Sequence, residues 1–165
     1  MLELAANDPL IKAYLKDLRH LKDQEVTHEL GLKGPFQKLL SSVVRRRDWT
    51  LVPELSTFSG GRRVVPDGTV RDEYKLARGW WESKDPGDKL AAEIQKKIKA
   101  GYPTRNTIFE DTDTAVLYQD GREGNAYPLR GGRVFRTKRG TSGARLARHP
   151  RAAFDAALQF GYFAD

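Results

Sequence analysis

The feature that most limits what this chain can fold into is a change of period at Trp49. Before it, apolar residues recur every three or four positions: Leu10, Tyr14, Leu18 and Leu21 with Ile11 and Leu15, then Phe36, Leu39, Leu40, Val43 and Val44. That spacing lines one face of a helix. After it, short apolar runs bounded by turn residues take over, the pattern of strands. Helices in front of strands, with one more helix among them, have to pack on a sheet. The fold class is therefore α/β, a mixed central β-sheet flanked by helices.

The element boundaries follow from caps and breakers. Asn7-Asp8-Pro9 reads as a helix start, with Asp8 as N-cap and Pro9 in the first turn, and this helix runs to about residue 22. The second helical stretch begins among Gly31, Gly34 and Pro35, which predicts a separate turn or a kinked approach around Glu29. "WTLVPELSTF" and "RRVV" are strands joined by the turn Ser59-Gly60-Gly61, and "ARGWWESK" is a third. Asp85-Pro86-Gly87-Asp88 stops that strand and caps a helix with apolar residues at Leu90, Ile94 and Ile98; Gly101 ends it, with Pro103 beyond. "NTIFED" and "TAVLYQDG" supply two further strands.

With 165 residues the chain fits one domain with a real core, and 39% hydrophobic and 31% charged residues are those of a globular protein. There is no cysteine, which excludes disulfides, thiolate zinc sites and a cysteine nucleophile. No basic stretch leads into an apolar run at the N-terminus, so no signal peptide is expected, and no apolar segment approaches a membrane span. The net charge of +7 is unevenly placed. Nine of the 29 Lys/Arg but only three of the 22 acidic residues follow Asp120, so residues 121–165 carry +6. The chain divides into a near-neutral domain over 1–120 and a basic Gly/Arg-rich tail over 121–165, with a short terminal helix at "RAAFDAALQF".

Chemistry concentrates in "VVPDGTVRDEYKLARGWWESKDPGD". On a strand, residues two apart share a face, so Glu82 and Lys84 point to one side and Trp81 to the other. Asp67 follows one strand and Glu82 lies on the next. If these are antiparallel neighbours joined by about a dozen residues, their ends meet. Two carboxylates there, with the Ser83 carbonyl nearby, make a hard oxygen site suited to Mg²⁺. Lys84 could reach a phosphate oxygen or a bound water, and such a site suits phosphodiester hydrolysis. The plainer readings are a Pro-Asp-Gly turn and a solvated Glu–Lys pair, and Asp72 competes with Asp67 for the ligand role. Trp80 and Trp81 read as edge and core packing. Lys96, Lys97 and Lys99 are either the wet side of their helix or contacts to phosphates beside the site. His20, His28 and His149 show no metal-ligand spacing.

Pro66-Asp67 followed by Glu82-Ser83-Lys84 resembles the PD-(D/E)XK nuclease motif. "VVPDGTVRD", "WWESKDP", "EIQKKIKAGYP" and "NTIFEDTDTAVLYQDG" are similar to the N-terminal nuclease segment of large single-chain restriction–modification enzymes of the Type ISP kind. Glu29, Lys33, Phe36, Leu39 and Leu40 match a further spacing of that segment. The resemblance spans residues 25–120. It implies a restriction-endonuclease-like sheet of three or four strands, Asp67 and Glu82 as metal ligands, and Lys84 as the catalytic lysine. Glu29 would be an additional ligand or water-orienting group, and Gln95 an auxiliary residue on the following helix, beside Lys96 and Lys97 on the DNA side. The tail departs from the family's continuation. There is no Asn-Pro-Pro-Tyr methyltransferase motif and no Gly-x₄-Gly-Lys-Ser/Thr phosphate loop. The expectation is a Mg²⁺-dependent DNA endonuclease, with Mn²⁺ able to substitute, in the cytoplasm of a bacterium or archaeon. It would be the nuclease module of a restriction–modification or related defence system, with methyltransferase, helicase or specificity regions as partners. The alternative is a catalytically silent, nuclease-like nucleic-acid-binding module.

Overall fold

The computed structural model describes residues 8–26 and 28–129. Its front half is two helices, α1 (Pro9–Asp23) and α2 (Glu29–Val44). Asp8 caps α1 as expected: its side chain accepts the Leu10 N–H at 2.9 Å and receives the Arg46 guanidinium from beyond the end of α2. The helix α2 runs unbroken through Gly31, Gly34 and Pro35, against the kink or separate turn expected around Glu29. Packing overrides propensity here. Leu32, Phe36, Leu39, Leu40, Val43 and Val44 are all buried, so the helix is held along its length by the core face.

Behind Trp49 the described residues form eight strands and one helix: β1 (Thr50–Pro53), β2 (Thr57–Ser59), β3 (Arg62–Val64), β4 (Gly68–Arg71), β5 (Ala77–Ser83), α3 (Leu90–Lys99), β6 (Thr107–Glu110), β7 (Thr114–Gln119) and β8 (Arg122–Pro128). Six of them form one sheet in the order β1-β4-β5-β6-β7-β8, wider than the three or four strands expected. β5 and β6 are parallel, joined over α3, and every other pair is antiparallel, so the sheet is mixed. β2 and β3 stand apart as a hairpin, turned by Gly60 and Gly61 at positive φ.

Three further boundaries differ from the sequence reading. "WTLVPELSTF" is two strands, broken after Pro53 where Glu54 takes a positive φ. "GTVR", not among the expected strands, is the sheet strand β4, because Val70 is fully buried between neighbours on both sides. The α3 N-cap is Lys89, without a side-chain capping bond, while the turn Asp85–Asp88 only ends the strand. At the other end Gly101, at φ +95°, closes α3 as expected. The sheet also continues past residue 120, since β8 pairs with β7. Residues 130–165, including His149 and the expected terminal helix, lie outside the described residues. No helix among the described residues is long and apolar enough to cross a membrane.

Strand alternation sorts the core into two layers. Trp81, Ile108, Ala115 and Leu117 face α1 and α2, where Phe36 stacks on Trp81 with ring centroids 5.7 Å apart. Phe109, Val116 and Tyr118 face α3 and pack on Leu90 and Ile94. Glu82 is the register partner of Phe109 and so stands on the α3 side. β4 meets β5 closely at Gly68, where an added Cβ would come within 2.7 Å of Leu51 Cδ1 and 2.9 Å of Trp81 Cε3.

Phe36→Ala removes the ring that joins α2 to Trp81 and is expected to cost about 3–5 kcal/mol. Phe58→Ala, at a β2 side chain 78% exposed, should stay within about 0.5 kcal/mol. Urea unfolding of the two variants checks both.

Candidate active site

The β4–β5 hairpin brings Asp67 and Glu82 together. Gly68 pairs with Trp81, which sets Asp67, one residue before β4, beside the C-terminal end of β5. The connection is the five residues 72–76, shorter than the dozen expected, because β4 itself takes up the rest. Two hydrogen bonds close the junction reciprocally. The Ser83 N–H donates to Asp67 Oδ2 at 2.7 Å, and the Asp67 N–H donates to Glu82 Oε2 at 3.3 Å. Each carboxylate is thus fixed by the other acid's strand.

Three ammonium groups converge on this acid pair. Lys33, from α2, donates to Asp67 Oδ1 at 2.6 Å, with the exposed Glu54 at 3.6 Å. Lys84 donates to Glu82 Oε1 at 3.0 Å, as expected for residues two apart on one face. Lys97, from α3, pairs with the same oxygen. It also donates to the Tyr102 hydroxyl at 3.1 Å and lies 4.3 Å from that ring's centroid. Burial works against the Lys97 charge, but the hydrogen bond and charge of Glu82, with Tyr102, outweigh it and hold the ammonium above its usual pKa.

Asp72 does not join the acid pair. It sits at the opposite end of β4, where its Oδ1 accepts the Tyr74 and Leu76 N–H groups and its Oδ2 accepts Arg78 at 2.6 and 2.7 Å. Desolvation raises its pKa, but these backbone and Arg78 contacts prevail and lower it. Asp72 closes the hairpin turn.

The remaining sequence candidates divide. Glu29 is the first residue of α2, and its side chain lies outside the described part of the structure. Gln95 reaches the Tyr118 hydroxyl at 3.5 Å, the limit of a hydrogen bond, away from the acid pair. Lys96 pairs with Glu93 on the exposed side of α3. Lys97 lies in the site itself. Trp81 is wholly buried against Phe36 and anchors β5 from the far face.

Sequence reasoning missed two groups. Lys33 appeared only as one position in a spacing, with no role, and its partner Asp67 is remote in sequence. Glu110 ends β6 and is fully buried on the α1–α2 side, the opposite face from Glu82. The Trp81 indole donates to it at 3.3 Å and the Thr112 N–H at 2.8 Å, while the Glu110 carbonyl accepts the Lys84 N–H at 2.7 Å. Burial pushes its carboxyl up to about 7, against the lowering effect of the Ser83 hydroxyl, Thr112 and Trp81. The available signal was a glutamate ending an otherwise apolar strand.

The donor set fits a hard divalent cation. Asp67 and Glu82 offer carboxylate oxygens only, the chemistry Mg²⁺ takes up through one or two carboxylates while keeping several waters. Among the described residues no group of three or more His, Cys, Asp or Glu side chains is placed to hold a metal ion. A cation here would rest on the two acids.

No protein-family model matches the chain, and a comparison with curated proteins finds no match. Among solved structures, the chain is similar to DrdV in a cryo-EM structure of a DrdV–DNA complex, with a TM-score of 0.77 and 32% sequence identity. The match covers 94% of this chain and 14% of DrdV, so the chain spans about one seventh of that protein's length. A DUF820 protein from Anabaena variabilis matches with a TM-score of 0.43 and 13% identity over 77% of this chain and 78% of that one, too low to weigh.

Glu110 gives a pH test. Between pH 4.5 and about 7 an unfolded chain has lost this proton while the folded chain keeps it. Its contribution is full below pH 4.5 and declines as pH rises to about 7, by on the order of 3 kcal/mol. Chemical unfolding across that window should show wild-type stability falling more steeply than that of Glu110→Gln.

Proposed function

We propose that this chain, which has the restriction-endonuclease-like PD-(D/E)XK nuclease fold, is a Mg²⁺-dependent DNA endonuclease module whose active site is Asp67, Glu82 and Lys84. The observation that carries the reading is the reciprocal hydrogen bonding of the two acids across the β4–β5 junction, with Lys84 on Glu82. The similarity to DrdV, a protein determined with DNA bound, favours DNA as the substrate. As that similarity reaches only 14% of DrdV, the methyltransferase, helicase or specificity regions expected as partners belong to the same proposal, as does a role in a restriction–modification or related defence system.

The reaction is phosphodiester hydrolysis: water adds to phosphorus and one P–O ester bond breaks, leaving a phosphate monoester and an alcohol. Asp67 and Glu82 would hold Mg²⁺ or Mn²⁺, which when bound supplies an acidified water and charge stabilisation at phosphorus. The chain's own part is preorganisation. Ser83 N–H aims Asp67, Asp67 N–H aims Glu82, and each carboxylate would lose its backbone donor on turning away. Lys84, 7% exposed, keeps an ammonium against Glu82 in a place sheltered from bulk water. There it is suited to orient the attacking water or to meet charge developing on a phosphoryl oxygen. The alternative, a silent nucleic-acid-binding module, has less support, because its acids would have no reason to converge.

Incubation of supercoiled DNA with the full chain and Mg²⁺ tests the reading. Wild type should nick or linearise the DNA, Mn²⁺ should substitute, and chelation should stop it. Glu82→Ala and Lys84→Ala should each lower the rate at least about 100-fold, the scale of losing one such group. Wild-type cutting by both variants would overturn the site. Salt-sensitive binding by wild type, unaffected by chelation and without cutting under any metal, would favour the silent module.

A further inference from the structure

Two lysines share one oxygen of Glu82, and their surroundings differ. Lys84 is 7% exposed and arises from the end of β5. Lys97 is 26% exposed, arises from α3, and is held at the rim by Glu82 and by the hydroxyl and ring face of Tyr102. Tyr102 is fixed in turn, its hydroxyl donating to the Val65 carbonyl at 3.1 Å, two residues before Asp67. The end of α3 and the β2–β3 hairpin are tied a second time, by Arg62 donating to the Lys99 carbonyl at 2.9 Å. The rim beside the acids is therefore cationic and braced, whereas Lys96 spends its charge on Glu93.

We propose that Lys97, positioned by Tyr102, is the phosphate-contacting residue of this site, meeting the backbone of bound DNA while the buried Lys84 stays with Glu82 and the attacking water. The inference rests on the nuclease reading and divides labour between two ammonium groups that the sequence motif does not distinguish. A partly exposed lysine whose ammonium is held in one place by a carboxylate, a hydroxyl and a ring meets a phosphate with little further ordering.

The test is equilibrium binding of a short fluorescent duplex DNA to the full chain in EDTA, read by anisotropy over a range of salt. Each phosphate contact contributes about 0.9 to the slope of log K against log salt. Lys97→Met and Lys97→Gln should each weaken binding severalfold and lower the slope by about that amount, while Lys97→Arg keeps it. Lys38→Met, at an exposed lysine paired with Asp17 between α2 and α1, should leave the slope at the wild-type value. Thermal unfolding identifies any variant that fails to fold; the Gln variant, which can still bond Glu82, then stands in for the Met variant. A full wild-type slope in folded Lys97→Met or Lys97→Gln overturns the proposal, as does an equal loss in Lys38→Met. The two readings fail separately. Cutting by wild type with an unchanged Lys97 slope sinks only the Lys97 assignment, whereas a wild type that neither binds nor cuts DNA sinks the nuclease reading and this inference with it.

Discussion

The site depends on two backbone-to-carboxylate hydrogen bonds at one strand junction, Ser83 N–H to Asp67 and Asp67 N–H to Glu82. A hydrogen bond to a carboxylate contributes more than a neutral one, and a buried acid left without partners costs more still. Here each acid accepts a backbone N–H from the other's segment, so the two are held at one junction. What lies around them follows from holding that junction in place. Gly68 lets β4 approach Trp81, Trp81 stacks on Phe36, and α2 carries Phe36 and Lys33 on successive turns. A single helix therefore supplies both the packing behind the site and a charge within it.

Charge balance at the site is set by three elements that sequence keeps apart. Asp67 and Glu82 are answered by Lys33 from α2, Lys84 from just past β5 and Lys97 from α3. In a partly buried setting such pairs are weak sources of net stability, because desolvation offsets much of the attraction. Their value is geometric: each ammonium limits the rotamers of its carboxylate. Glu110 works differently. Hidden on the other face, it ties Trp81 and the turn at Thr112 to the end of β6, and its carbonyl receives the Lys84 N–H.

Much of this could be read before any coordinates, for a physical reason. Period and caps are local, so α1, the Gly60-Gly61 turn, α3 with its Gly101 stop, β6 and β7 followed from the sequence. Trp81 and Glu82 lie on one strand with Lys84 directly after it, and alternation alone assigns their faces. Tertiary packing was harder to read. Pro35 stays inside α2 because a continuous apolar face outweighs one lost backbone hydrogen bond. "GTVR" is short and polar at its ends, and only burial of Val70 between β1 and β5 reveals it as a strand. Lys33 and Glu110 act through partners 34 and 29 residues away, a separation no local pattern encodes. Lys97 flanks the apolar stripe of α3, where helical periodicity cannot tell a solvated lysine from one in a site.

The alternation along β5 has a consequence for misfolding. Trp81 belongs to the α1–α2 layer and Glu82 to the α3 layer, so a shift of pairing by one residue would exchange them. The carboxylate would then face Phe36 among apolar side chains, and the indole would be carried to the lysines. That state loses the ring stack and strands an unpaired acid at once. The two residues therefore act together as a proofreading device for strand alignment, and an apolar replacement at position 82 would remove half of the penalty on the slipped sheet.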